Sequence, residues 1–170
     1  MIFGWRNDCR GDGHLGSSES LLAGHADLLE TFWDRVLAPV EVRSEFIFLA
    51  ESDQRFAGLV FPDFIGVETI DATHEELLQK HRLDRGEIAA LSLALERGIR
   101  EVLIDERIGR RVAERCGLSP SGLLGVLVKA KRRAIIPEVL SLLDRLHSGA
   151  RFWISPGLRS QVANSTGESP

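Results

Sequence analysis

The clearest alternation of apolar and polar positions runs from Leu83 to Leu118, LDRGEIAALSLALERGIREVLIDERIGRRVAERCGL. After Asp84 the apolar residues Ile88, Leu91, Ala94 and Leu95 recur at three- and four-residue steps, which predicts a helix with one buried stripe. Gly98 stands where such a helix ends. Val102, Leu103 and Ile104 then follow one another, as in a short strand covered on both faces. Ile108 and Val112, with Cys116 continuing their face, predict a second helix. Helix, strand and helix with short connections indicate a parallel α/β sheet.

In open sheets of that kind the ligand crevice lies at the carboxyl ends of the strands. Asp105, read as the last strand residue, is therefore a site candidate, and Glu87 is a second carboxylate at a joint. Asp84 and Glu87 also have the D-x-x-E spacing of a capping box, and Asp105 is equally suited to cap the helix after it. The spacing leaves structural and functional uses open for both acids.

The remaining pattern fills in around this stretch. Met1 to Trp5 reads as a first strand and Leu21 to Trp33 as a helix, with Leu28, Leu29 and Phe32 on its apolar face. Val36 to Ala38 is an apolar segment stopped by Pro39. VEVRSEFIFLA then carries Val42, Phe46 and Leu49 on one helical face and Glu41 and Glu45, four apart, on another. An ordinary solvated face accounts for the two glutamates as well as a site does. FIGVETI predicts a strand and THEELLQKH a short helix. Gly122 to Arg133 is a helix, apolar at Leu123, Leu124, Val126, Leu127 and Ala130. Its cations Lys129, Lys131, Arg132 and Arg133 suit either a solvated outer face or, with Arg110 and Arg111, a phosphate-contacting edge. Pro137 opens the helix EVLSLLDRLH, and RFWIS reads as a last strand with Phe152 and Trp153 in the core or at an interface. Residues 156–170 read as a polar, frayed tail.

Composition narrows the class. A chain of 170 residues with 44% hydrophobic content is long enough for one domain that buries about 70% of its unfolded surface, and no Pro-, Gly- or Ser-rich linker divides residues 1–155. Acids outnumber bases 25 to 21, a formal charge of -4, so a global basic excess for nucleic acid is missing. A local basic stripe still holds phosphates, and an acidic metal site adds its own negative charge. Cys9 and Cys116 form no C-x-x-C pattern, which gives neither a disulfide framework nor a structural zinc site. No apolar run reaches the length of a membrane span and no signal-peptide pattern opens the chain, so a cytoplasmic location without membrane contact is expected. His74 and Glu75 lack the second histidine of a zinc-protease motif, which would fall at Leu78. His25 has no second ligand nearby. The P-loop, the G-x-G-x-x-G turn and the G-x-S-x-G elbow are absent.

The blocks LDRGEIAALSLALERG, EVLIDERIGRRVAERCGL, SGLLGVLVKAKRRAIIPEVLSLLDRL and RFWISPGLRSQV together resemble the PIN-domain-like family of nucleic-acid-binding proteins. Members of that family are similar to the ribonuclease toxins of bacterial and archaeal toxin–antitoxin pairs. The resemblance runs from about Gly24 to the C-terminus. It implies a three-layer α/β fold, with a mostly parallel sheet of four to five strands flanked by helices. It also implies an RNA substrate, a Mg²⁺ or Mn²⁺ cofactor, a small antitoxin partner and a homodimer.

The same resemblance assigns site residues. A proline followed by V-x-x-E carries the second site acid, here Glu45; Glu41 has no counterpart. Glu87 and Asp105 take two further places. The family's first strand ends in an aspartate followed by a small hydroxyl pair, and the ungapped position for it is Gly13. Asp12, one residue off, is the nearest acid; Gly16, Ser17 and Ser18 resemble the same turn with its aspartate lost. Asp12, Glu45, Glu87 and Asp105 are thus the expected catalytic and metal-binding carboxylates. Arg110, Arg111, Lys129, Lys131 and Arg132 are the expected nucleic-acid contacts. The alternative is a noncatalytic module that binds nucleic acid or protein after loss of the first aspartate.

Overall fold

The computed structural model describes residues 1–4, 26–52, 54, 57–71, 74, 78, 83–150 and 154–169. In chain order its elements are β1 (Ile2–Phe3), α1 (Asp27–Phe32), β2 (Val36–Pro39), α2 (Val40–Ser52), β3 (Ile65–Glu68) and α3 (Arg85–Arg97). They continue with β4 (Glu101–Leu103), α4 (Arg107–Arg115), β5 (Ser119–Ser121), α5 (Leu123–Arg132), α6 (Val139–Ala150) and α7 (Pro156–Thr166). The five strands form one sheet in the order β3-β2-β1-β4-β5, every pair parallel.

Alternation along the strands sets the layers. Phe3, Val36, Ala38 and Leu103 face one core with Leu28, Leu29, Val42, Phe46, Leu127, Val139 and Val162, so α1, α2, α5, α6 and α7 lie on that side. Ile2, Leu37, Val102 and Ile104 face the opposite core with Leu91, Leu93, Val112 and Ala113 from α3 and α4. This is the three-layer α/β arrangement the sequence leads one to expect. Because both faces are covered, the inner strands carry no polar alternation. Fully burying side chains such as Phe3 or Leu103 contributes about 1.5–3 kcal/mol each.

β5 escaped the pattern reading because its sequence is Ser-Pro-Ser. It sits at the sheet edge, where Pro120 needs no donor on its outer side. Its pairing is nonetheless real: Ser119 N–H donates to Arg100 O at 2.7 Å, and Ile104 N–H to Ser121 O at 2.8 Å.

The expectation of a frayed tail over 156–170 is corrected. Pro156–Thr166 is a helix whose N-cap Ser155 accepts from Leu158 N–H, and Gly167 closes it with φ 72. Val162 and Ala163 are buried against the core. Glu168 accepts hydrogen bonds from Val139 N–H and Leu140 N–H, both 2.8 Å, at the start of α6. Polar composition misled here because only one narrow stripe of the helix is buried. The expected strand RFWIS spans 151–155; its first three residues lie outside the described residues, as does most of THEELLQKH, while Ile154 and Ser155 are not strand and Ser155 caps α7.

Candidate active site

Glu87 stands at the third position of α3, where Asp84 and Glu87 form a complete capping box. Glu87 N–H donates to Asp84 Oδ1 at 2.7 Å, and Asp84 N–H to Glu87 Oε2 at 3.3 Å. Capping alone leaves a glutamate exposed in most helices, yet only 3% of Glu87 reaches solvent. Its other oxygen faces Gly109 of α4: a Cβ built there would overlap Oε1 and lie 3.0 Å from Cδ. The absence of a side chain at Gly109 is what admits the carboxylate between the two helices.

Glu45 projects from α2, the helix that begins directly after β2. With Val40, Glu41, Ser44 and Arg85 it lines a cavity of about 240 Å³. Desolvation, followed by repulsion from Asp84, pushes the Glu45 carboxyl up to about 7; Arg85 opposes the shift and Glu41 adds to it. Oε2 of Glu41 and Oε2 of Glu45 are buried with no hydrogen-bond partner among the described residues. A buried carboxylate oxygen in that state costs free energy unless a cation or a proton meets it.

Asp105 lies past the end of β4, which stops at Leu103, so its reading as the last strand residue is corrected by two positions. Of the two uses left open for it, capping of the following helix is not the one observed. The N-cap of α4 is Glu106, which makes no side-chain cap bond. Asp105 Oδ1 instead accepts from Leu123 N–H at 2.8 Å, the first residue of α5. A Cβ on Gly122 would lie 2.6 Å from that same oxygen. Parallel sheets bring the loops after β4 and β5 side by side, and this carboxylate bridges them.

The three acids therefore stand on neighbouring elements at the carboxyl end of the sheet. Electrostatic coupling joins Glu45 to Asp84 across α2 and α3, and Gly109 joins α4 to Glu87. Among the described residues, however, no group of three or more His, Cys, Asp or Glu side chains is arranged to hold a metal ion. Asp12 lies outside the described residues. The first residue past β1 is Gly4, where a Cβ would come 3.0 Å from Ala90 Cβ and 3.1 Å from Leu103 O.

The expected nucleic-acid contacts divide into two places. Arg110 and Arg111 are exposed on α4 beside the buried Gly109. Lys129 Nζ instead lies 4.4 Å from the Trp33 ring centroid, and Trp33 Nε1 donates to Glu101 at the start of β4. Asp105 is past the opposite end of that strand, roughly 13 Å away at an extended rise. Lys131 is held by Glu168 at 4.0 Å and by the Pro137 carbonyl. Pattern reasoning set Glu41 aside and missed Arg85, Gly109 and Gly122. Only the four-residue spacing of Glu41 from Glu45 signalled any of these.

A family model described as a PIN domain matches residues 21–168, most of the chain. The chain belongs to the PIN-domain family. No curated protein and no solved structure matches it. The PIN domain is a nuclease-type fold, and it points to nucleic-acid binding. Among the described residues no helix is long and apolar enough to cross a membrane.

A divalent cation is the group this family implies, and the donor chemistry fits one. Every candidate donor is a carboxylate oxygen, the hard ligand Mg²⁺ and Mn²⁺ prefer. Oε2 of Glu45 is buried without a hydrogen bond among the described residues, and so is Oε2 of its neighbour Glu41.

Proposed function

We propose that this PIN domain is a Mg²⁺- or Mn²⁺-dependent endoribonuclease of the toxin type, which hydrolyses RNA phosphodiesters at its carboxylate cluster. The observation that carries the reading is the cavity in which Glu41 and Glu45 meet Arg85, with the Glu45 carboxyl raised to about 7. Glu45, Glu87 and Asp105 are the residues that would hold the cation, with Asp12 as the fourth acid. A bound divalent ion supplies charge neutralisation of the phosphate during in-line displacement and eases deprotonation of the attacking water.

The chain's own groups do the rest. Arg85, exposed at the mouth of the cavity, attracts the phosphate that the surrounding acids would repel. Arg110 and Arg111 extend that cationic contact along the backbone of the RNA. Glu45, desolvated in its cavity and repelled by Asp84, is the acid whose charge most needs a cation opposite it, and the proton that water loses as its oxygen bonds to phosphorus passes to solvent. The bond to the leaving ribose oxygen breaks in the same displacement, and that oxygen acquires a proton. Three accompanying features belong to the same proposal: restraint by a small antitoxin and pairing with a second copy of the chain, which the sequence resemblance to toxin-type ribonucleases suggests, and a cytoplasmic location.

One observation favours a second reading, a noncatalytic module that binds nucleic acid or protein. The position just past β1 is Gly4, whose packing leaves no room for a carboxylate. End-labelled single-stranded RNA, incubated with the chain in Mn²⁺ or in EDTA, separates the two. Internal cuts that require Mn²⁺ support the nuclease; RNA that is retained on the protein and left intact in Mn²⁺ supports the module.

A further inference from the structure

A second cavity of about 650 Å³ lies on the opposite layer from Glu87, between α5 and α7. Leu124, Val128 and Val162 give it an apolar lining, and Lys129, Arg132 and Arg133 supply cations. Its size is that of a real binding site and not of a packing defect. Lys131, one residue from this set, is occupied by Glu168. Among the described residues no carboxylate lies within ion-pair range of Lys129, Arg132 or Arg133. An apolar groove between two helices with unneutralised cations is the complement of an amphipathic helix bearing acids beside its apolar face.

We propose that the groove between α5 and α7 is a docking site for an acidic amphipathic helix of a protein partner. The wall chemistry favours this occupant over RNA. Lys129 lies 4.9 Å from the Phe32 centroid and 4.4 Å from that of Trp33, and Arg133 lies 5.3 Å from Phe32. The aromatic rings nearest the cations already carry positive charge on their faces, where a base would have to stack. An aliphatic lining gains more from leucine-like side chains than from ribose and phosphate. The groove starts at Leu124, next to the Asp105 partner Leu123, but its cations lie toward the amino end of the strands, where Lys129 packs on Trp33 beside Glu101. Peptide binding there is read without any cleavage assay, so the proposal does not rest on the nuclease reading.

The probe is a labelled synthetic peptide of about 14 residues, roughly four helical turns. It carries leucine at helical a and d spacing and glutamate elsewhere, and its binding to the whole chain is read by fluorescence anisotropy. Saturable binding is expected, weakened at least about tenfold when Arg132→Glu and Arg133→Glu are combined, and lost for the same peptide with lysine in place of glutamate. The milder pair Arg132→Gln and Arg133→Gln, with an unchanged thermal melt, separates lost charge from lost folding. Failure of the glutamate peptide to bind, or binding indifferent to both pairs, overturns the proposal. So does preferential binding of an oligouridylate that is lost with the same substitutions, which would make the groove a nucleic-acid surface.

Discussion

Gly109 of α4 is packed against the carboxylate of Glu87 of α3, so closely that a methyl group at Gly109 would occupy the space of Oε1. The glycine is not needed for an unusual backbone angle, since it lies inside a helix. It is needed for volume. Gly109→Ala is expected to rotate Glu87 out of its capping geometry and to destabilise the fold by about 1–3 kcal/mol, the usual cost of overpacking. If Glu87 acts on RNA, a displacement of this kind lowers cleavage by about 10²-fold. Pairing it with Glu87→Asp, which shortens the acid, should recover stability relative to Gly109→Ala alone. A urea titration of the three variants checks the packing, and a cleavage assay checks its consequence.

Glu45 makes the metal-free fold sensitive to pH in an unusual direction. Its carboxyl is raised in the folded state to about 7 from the ordinary 4.5, first by desolvation and then by Asp84. The folded chain therefore holds more protons than the unfolded chain between those two values, and stability falls as pH rises through that window. Below about 4.5 both states are protonated and the effect vanishes. Thermal melts in EDTA from pH 5 to 8 should show a decline that Glu45→Gln flattens. The amplitude is smaller than for a fully buried acid, because the group is partly solvated. A melt for Glu45→Gln that parallels the wild type would show that the acid is better solvated than its cavity implies.

Glu168 is expected to matter to stability although it is the third-last residue of the chain. Burial works against its ionisation, but the amide hydrogen bonds from Val139 and Leu140, with help from Thr166 and Lys131, outweigh it and hold the carboxyl below its ordinary range. Glu168→Ala leaves the first two amides of α6 uncapped, a loss of about 0.5–2 kcal/mol, read as a drop of a few degrees in Tm. Since the folded value is depressed, this contribution is present above the ordinary carboxylate pKa and disappears as pH falls through the folded one. Removal of residues 156–170 should cost far more, because Val162 and Ala163 are then lost from the core.

These particulars show where the sequence was legible. The stretch from Asp84 to Gly98 was readable because one helix carries its own start, stripe and stop: the capping box forms, and Gly98 adopts φ 62. β4 and the parallel sheet followed from an uninterrupted apolar run, which has few other uses in a chain of this size. The partner of Asp105 was not legible, because Leu123 is 18 positions away and no periodicity links them. Neither was β5, whose Ser-Pro-Ser has no hydrophobic signature. The role of Gly109 was hidden for a related reason: a missing side chain leaves no pattern, and only the neighbour it admits reveals it.

The basic residues teach the same lesson from the other side. Lys129, Lys131 and Arg132 looked like a single edge together with Arg110 and Arg111. Helix α5 is long enough to carry its last turn away from its first by roughly 1.5 Å per residue, so cations close in sequence to the site end up toward the amino end of the strands. Charge-reversal at Arg110 and Arg111 is expected to weaken RNA binding and its salt dependence more than reversal at Arg132, as measured by filter binding across a salt series.

The central claim is that carboxylates gathered at the carboxyl end of the sheet act on RNA through a divalent ion. Asp105→Asn tests it most directly, since an amide oxygen can still accept the Leu123 hydrogen bond while the charge needed for a cation is gone. The measurement is the rate of single-stranded RNA cleavage in Mn²⁺ by the intact chain and by this variant, with matching melts. A variant that melts like the wild type but cleaves at least about 10²-fold more slowly is the predicted result. Equal cleavage rates for the two proteins would contradict the account.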